Sequence, residues 1–68
     1  NILAPVIIAL APEVPKFLEE GGIFIASGIL EEKAEEVRET LKAVKEWEIL
    51  EELQEGEWHA FICRKKSL

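Results

Sequence analysis

Asn1 stands at the head of Ile2-Leu3-Ala4, and its side chain is suited to holding an amine. A carboxamide oxygen accepts hydrogen bonds from an amino group and leaves the nitrogen lone pair free, without adding charge. An aspartate in its place would favour the ammonium form and keep the nucleophile protonated. On residue type alone, the commoner use of such an asparagine is as an N-cap, here for a helix beginning near Leu3. Ser27-Gly28-Ile29 follows an apolar run, so it falls at the carboxyl end of a strand, where open α/β sheets place ligands. A plain strand-to-helix turn that uses the backbone freedom of Gly28 explains it equally well. His59 and Cys63 share a strand face four residues apart, but two donors fall short of the three or four that zinc needs, and no metal site is expected. Trp47 and Trp58 are expected to cross-pair near a hairpin as packing anchors, because no basic groove accompanies them to make a base-stacking platform.

A few short elements must position these residues. Between Leu3 and Leu18 the apolar residues Val6, Ile7, Leu10, Val14, Phe17 and Leu18 recur at helical spacing, interrupted by prolines at 5, 12 and 15. Two short helices are expected, with the prolines in first turns where a missing amide hydrogen is harmless. Gly21-Gly22 is expected to cap the second. Ile23 to Ser27 reads as a strand buried on both faces and closed by Ser27-Gly28. From Leu30 the apolar residues Ala34, Val37, Leu41 and Val44 follow at spacings of four and three, an amphipathic helix with glutamates early and lysines late. Trp47 to Gln54 reads as a strand with Trp47, Ile49 and Leu53 on one face. Glu55-Gly56 reverses the chain, and Glu57 to Lys65 alternates with apolar residues on both faces, so the last strand should be more central than its partner.

Composition narrows the function. Sixty-eight residues allow one small domain, and 49% hydrophobic with 32% charged content describes a chain that folds. The net charge of −6 is unevenly spread: −2 over residues 1–30, −7 over 31–57 and +3 over 58–68. An acidic middle repels phosphate backbones, and Arg64-Lys65-Lys66 is too short to reverse that, so direct nucleic-acid binding is not expected. A basic protein partner is permitted. The single Cys63 forbids an internal disulfide and fits a reducing cytosol, and no apolar run approaches the length needed to span a bilayer. A cytoplasmic protein without membrane contact is expected.

Five blocks, Asn1-Ile2-Leu3-Ala4, Leu10-Ala11-Pro12-Glu13, Gly21-Gly22, Ser27-Gly28-Ile29-Leu30 and Glu55-Gly56-Glu57-Trp58, carry more information together than singly. In this order and spacing they resemble the C-terminal part of the ribosomal protein L11 methyltransferase (PrmA) family, across essentially the whole chain. The resemblance implies that residues 1–68 are a C-terminal fragment of the catalytic domain of an S-adenosylmethionine-dependent protein methyltransferase. It implies an α/β fold of the Rossmann-like class I type, in which a three-stranded mixed sheet keeps its last strand central beside Ile23 to Ser27. The implied substrates are lysine and α-amino groups of a large-subunit ribosomal protein. Asn1 would be the catalytic residue bordering the amine and touching the cofactor, and Asn1, Ile2 and Leu3 would together bind S-adenosylmethionine. The Gly-rich loop and the acidic residue that grip this cofactor in the family lie upstream and have no counterpart in 1–68, so the fragment alone is expected to be inactive. A second reading treats the chain as a stand-alone α/β interaction module that forms a homodimer through an exposed strand edge. A third keeps the methyltransferase fold and changes the amine.

Overall fold

Proline placement sets the first turns of the chain. The computed structural model describes residues 4–67, and helix α1 (Ala4–Leu10) carries Pro5 in its opening turn, where no intrahelical donor is lost. The second expected helix is a single 3₁₀ turn, Val14–Phe17, with Pro15 near its start. It ends in extended backbone at Leu18, so Gly21-Gly22 does not cap it. Those glycines belong to a separate turn, closed by the Gly22 amide donating to the Glu19 carbonyl at 2.9 Å, which aims the chain into the sheet.

Strand β1 (Ile23–Leu30) runs three residues beyond the expected end at Ser27. Helix α2 (Glu31–Ala43) follows with no loop, burying Ala34, Val37 and Leu41. Its first turn holds Glu31 and Glu32 and its last turn Lys42, the order that favours the helix dipole. Strands β2 (Trp47–Glu55) and β3 (Trp58–Lys65) form a hairpin. Gly56 has φ +60° while, among the described residues, none other than glycine has positive φ, which identifies a two-residue type II′ connection with glycine at its first central position.

The sheet order is β1-β3-β2, with the last strand central as expected. Both pairings are antiparallel, not mixed. β1 and β2 run in the same direction but are not neighbours. Helices α1 and α2 cover one face, and between helices and sheet lies the core: Ile7, Ala11, Ala26, Ile29, Val37, Leu41, Trp47, Phe61 and Cys63 among others. The opposite face is uncovered. Ile23, Ile25, Leu30, Leu53 and Trp58 all lie between about two-fifths and three-fifths exposed, so β1 is not buried on both sides, because within these residues nothing packs on its second face.

Two irregularities redirect side chains. A register shift between Ile49 and Glu51 moves Leu53 off the face shared by Trp47 and Ile49 and puts Glu52 there, opposite Phe61. A period-two reading fails at that point, since one extra residue inverts every side chain beyond it. The tryptophans do not pair. Trp47 sits at the far end of the hairpin, stacked on Phe24 with ring centroids 5.2 Å apart, and its Nε1 donates to the Ala11 carbonyl at 2.8 Å. Trp58 is half exposed beside the turn.

Candidate functional site

The second irregularity lies in β1 between Ala26 and Ile29, and it shapes the end of the sheet. Gly28 takes φ +73°, a conformation that glycine enters without steric cost, so the strand bulges at Ser27-Gly28 and then resumes with Ile29 opposite His59 and Leu30 opposite Trp58. The expected turn is therefore a bulge within a strand. The Glu31 amide donates to the Glu57 carbonyl at 2.7 Å, which fastens the first turn of α2 to the hairpin. Ser27, Gly28, Gln54, Trp58, His59 and Ala60 line an open cavity of about 360 Å³ here, together with Leu53 and Glu55. It lies near the carboxyl end of β1, the end of an open α/β sheet where ligands bind.

Beneath this end, on the helix-covered face, lies a polar network that sequence reasoning missed. Arg38 of α2 donates from Nε and Nη2 to the two carboxylate oxygens of Glu52 at 2.9 and 2.7 Å, a bidentate pair. These bonds from Arg38, with a further one from His59, hold the Glu52 carboxyl below its ordinary range against the opposing effect of burial. Arg38 is correspondingly pushed up, chiefly by its bonds to Glu52. His59 is 7% exposed. Its Nδ1 lies 3.1 Å from Glu52 Oε2, and its Nε2 lies 3.9 Å from Oε1 of Glu31, the same oxygen that accepts from Gln54 Nε2 at 3.1 Å. The cluster draws on three elements, α2, β2 and β3, which hides it from any local pattern. The bulge in β2 is what turns Glu52 toward it.

The other candidates are placed plainly. Asn1, Ile2 and Leu3 lie outside the described residues. His59 and Cys63 share the covered face of β3, both buried. Among the described residues, no group of three or more His, Cys, Asp or Glu side chains is placed to hold a metal ion. Burial pushes the Cys63 thiol up to about 11, so it is a packing residue and not a nucleophile at neutral pH. No helix among the described residues is long and apolar enough to cross a membrane. The glutamates Glu32, Glu35 and Glu36 on the outer face of α2 are exposed to solvent.

The cavity wall, the bulge and the hairpin bear on a cofactor site in a limited way. The described residues present backbone at a bulge, an apolar Trp58 and Leu53, and the polar Ser27 and Gln54, which suits one wall of a pocket. They contain no Gly-rich turn leading from a strand into a helix of the kind that cradles a dinucleotide-like ligand.

Comparison with known proteins agrees with the fold and with the five sequence blocks. Residues 1–66 match the family model of the ribosomal protein L11 methyltransferase (PrmA). The chain is 52% identical over 67 residues to the ribosomal protein L11 methyltransferase of Thermoanaerobacter pseudethanolicus, covering 97% of this chain and 21% of that protein. It is 47% identical over 66 residues to its counterpart in Listeria monocytogenes, covering 96% of this chain and 20% of that protein. Among solved structures, the ribosomal protein L11 methylase of Lactobacillus delbrueckii subsp. bulgaricus superposes with a TM-score of 0.87 at 27% identity, over 98% of this chain and 34% of the other. The chain thus spans about a fifth of the length of the curated relatives it matches. With the match extending from the first residue to the end of the last strand, this chain belongs to the ribosomal protein L11 methyltransferase family.

Proposed function

We propose that this chain forms part of the catalytic domain of an S-adenosylmethionine-dependent methyltransferase whose substrate is ribosomal protein L11. The observation that carries the reading is the match of residues 1–66 to one family model. S-adenosylmethionine, when bound, supplies an electrophilic methyl group. The work left to the chain is positional: an amine has to be neutral, desolvated and in line before it can attack. In this reading Asn1 is the catalytic residue, its carboxamide oxygen accepting from the amine, while Ile2 and Leu3 wall the cofactor beside it. The bulge at Ser27-Gly28 and the hairpin residues Gln54 and Trp58 form the acceptor-side wall near the carboxyl end of β1.

Two features support a domain larger than this chain. β1 is an outer strand of the sheet, and the sheet face bearing Ile23, Ile25, Leu53 and Trp58 is apolar and open. Both fit an α/β sheet that continues beyond β1 with a second covering layer. The cofactor grip would then lie outside residues 1–68, and the isolated chain would not turn over. The test is to incubate the full-length protein with isotopically labelled S-adenosylmethionine and purified ribosomal protein L11. Label in the ribosomal protein is expected, with a rate at least about tenfold lower for Asn1→Ala. No transfer at any ratio of enzyme to substrate would overturn the assignment.

The same free edge favours a second reading, in which the chain pairs with a copy of itself along β1 and satisfies the open backbone groups of that strand. Sedimentation of the 68-residue chain separates the two. A folded monomer at low micromolar concentration removes the dimer reading.

A further inference from the structure

His59 is the one imidazole in the chain, it is nine-tenths buried in the central strand, and each of its ring nitrogens faces a carboxylate from a different element. Glu52, from β2, is already ionised and clamped by Arg38. A carboxylate only accepts, so the 3.1 Å contact requires the proton to be on Nδ1. A neutral ring then presents a bare lone pair at Nε2, and Nε2 has no hydrogen-bond partner among the described residues. Its nearest charged neighbour is Glu31 Oε1, 3.9 Å away at the first residue of α2. Two acceptors cannot bond to one another, so that distance stays open while the ring is neutral. A second proton on the ring turns Nε2 into a donor aimed at Glu31.

We propose that His59 is a proton-operated latch: uptake of a proton closes Nε2–H onto Glu31 and ties the start of α2 to the β2–β3 hairpin. The groups facing the ring are Glu52 from β2, Glu31 from α2 and, through Glu52, Arg38 from α2. β1 places the apolar Ile29 opposite His59. Glu31 is well placed to transmit the change. Its amide is bonded to the Glu57 carbonyl at 2.7 Å, and its Oε1 accepts from Gln54. It also follows the Ser27-Gly28 bulge by only three residues. Closing the latch shortens the one long contact in that ring of bonds and stiffens the β1–α2 junction beside the cavity. Its bearing on methyl transfer rests on the function proposed above, whereas the latch itself rests on the geometry alone.

Amide hydrogen exchange in the full-length protein reads the latch without substrate, so its failure is distinct from failure of methyl transfer. After correction for the intrinsic pH dependence of exchange, protection of the Glu31 amide is expected to be about fivefold greater near pH 5.5 than near pH 8. Glu31→Ala, at a solvent-exposed side chain, keeps the helix and should abolish the difference. Nitrogen chemical shifts of the His59 ring give an independent reading, with Nδ1 protonated and Nε2 bare near pH 8 and both protonated near pH 5.5. Equal protection at both pH values, or a proton on Nε2 with Nδ1 bare near pH 8, would overturn the proposal.

Discussion

Trp47 joins three parts of the structure, and its replacement tests how the core is held. The indole is 4% exposed, stacks on Phe24 with an interplanar angle of 21°, and donates from Nε1 to the carbonyl of Ala11, which is fully buried. Trp47→Phe keeps an aromatic ring against Phe24 but strips the Ala11 carbonyl of its indole donor. A buried polar group deprived of its partner costs about 1–3 kcal/mol, so a loss of about 2 kcal/mol is expected. Trp47→Ala removes the ring as well, and large-to-small changes of this kind cost about 3–5 kcal/mol. A single core of this size supplies only about 3–5 kcal/mol in total, so Trp47→Ala should leave the 68-residue chain unfolded at 25 °C. Urea unfolding followed by far-ultraviolet circular dichroism measures both variants without relying on tryptophan fluorescence. A Trp47→Phe protein within about 0.5 kcal/mol of the parent would refute the reasoning about the Ala11 carbonyl. A double-mutant cycle with Phe24→Leu should return a coupling of about 0.5–1.5 kcal/mol, and a coupling of zero would remove the stack from the account.

Three further outcomes follow from particular contacts. Because Glu52 is held below its ordinary value of 4.5, its stabilising effect is full above that pH and is lost as pH falls through the lower folded value. Acid titration of stability should therefore be shallower in Glu52→Gln, which should also lose about 1 kcal/mol at pH 7; superimposable pH curves would show that the pair with Arg38 does not stabilise the fold. Lys65 Nζ donates to the carbonyls of Pro15 at 2.6 Å and Leu18 at 2.7 Å. Lys65→Met should raise hydrogen exchange at residues 16–22 by about tenfold while leaving α2 unchanged, and uniform loss of protection would argue for a global effect instead. Cys63 is fully buried with its thiol pushed up to about 11. Alkylation at pH 8 should run at least about a hundredfold slower in the folded protein than in denaturant, and rapid modification of folded protein would contradict its placement in the core.

Elements with an unbroken period were legible in the amino-acid order. In α2 the spacing of Ala34, Val37 and Leu41 survives intact, so the buried face follows directly from 3.6-residue periodicity. Gly56 marked the hairpin because a two-residue reversal needs positive φ, although the reversal is Gly56-Glu57 and not Glu55-Gly56, since Glu55 still pairs with Trp58. Legibility fails where an extra residue enters a strand. The irregularity near Leu50 sends Leu53 to the open face and Glu52 to the covered one, and no local pattern announces it. The bulge at Ser27-Gly28 likewise carries β1 on to Leu30, past the Gly that reads as a terminator. The network of Arg38, Glu52 and His59 was invisible for the same reason, since it needs both the β2 irregularity and contacts across 7 and 14 residues. The open face could not be foreseen from β1 itself, because Ile23, Phe24 and Ile25 read as a strand meant for burial on both sides. That reading describes the chemistry of the residues, and their exposure reflects what packs on them here.

The central proposal is that residues 1–68 furnish one wall of a methyl-transfer site and that the cofactor grip lies outside them. Calorimetry with S-adenosylmethionine tests it most directly, using the full-length protein and the 68-residue chain side by side. The account predicts saturable binding by the former and no measurable heat of binding by the latter at micromolar ligand. Saturable micromolar binding by the 68-residue chain alone would contradict it.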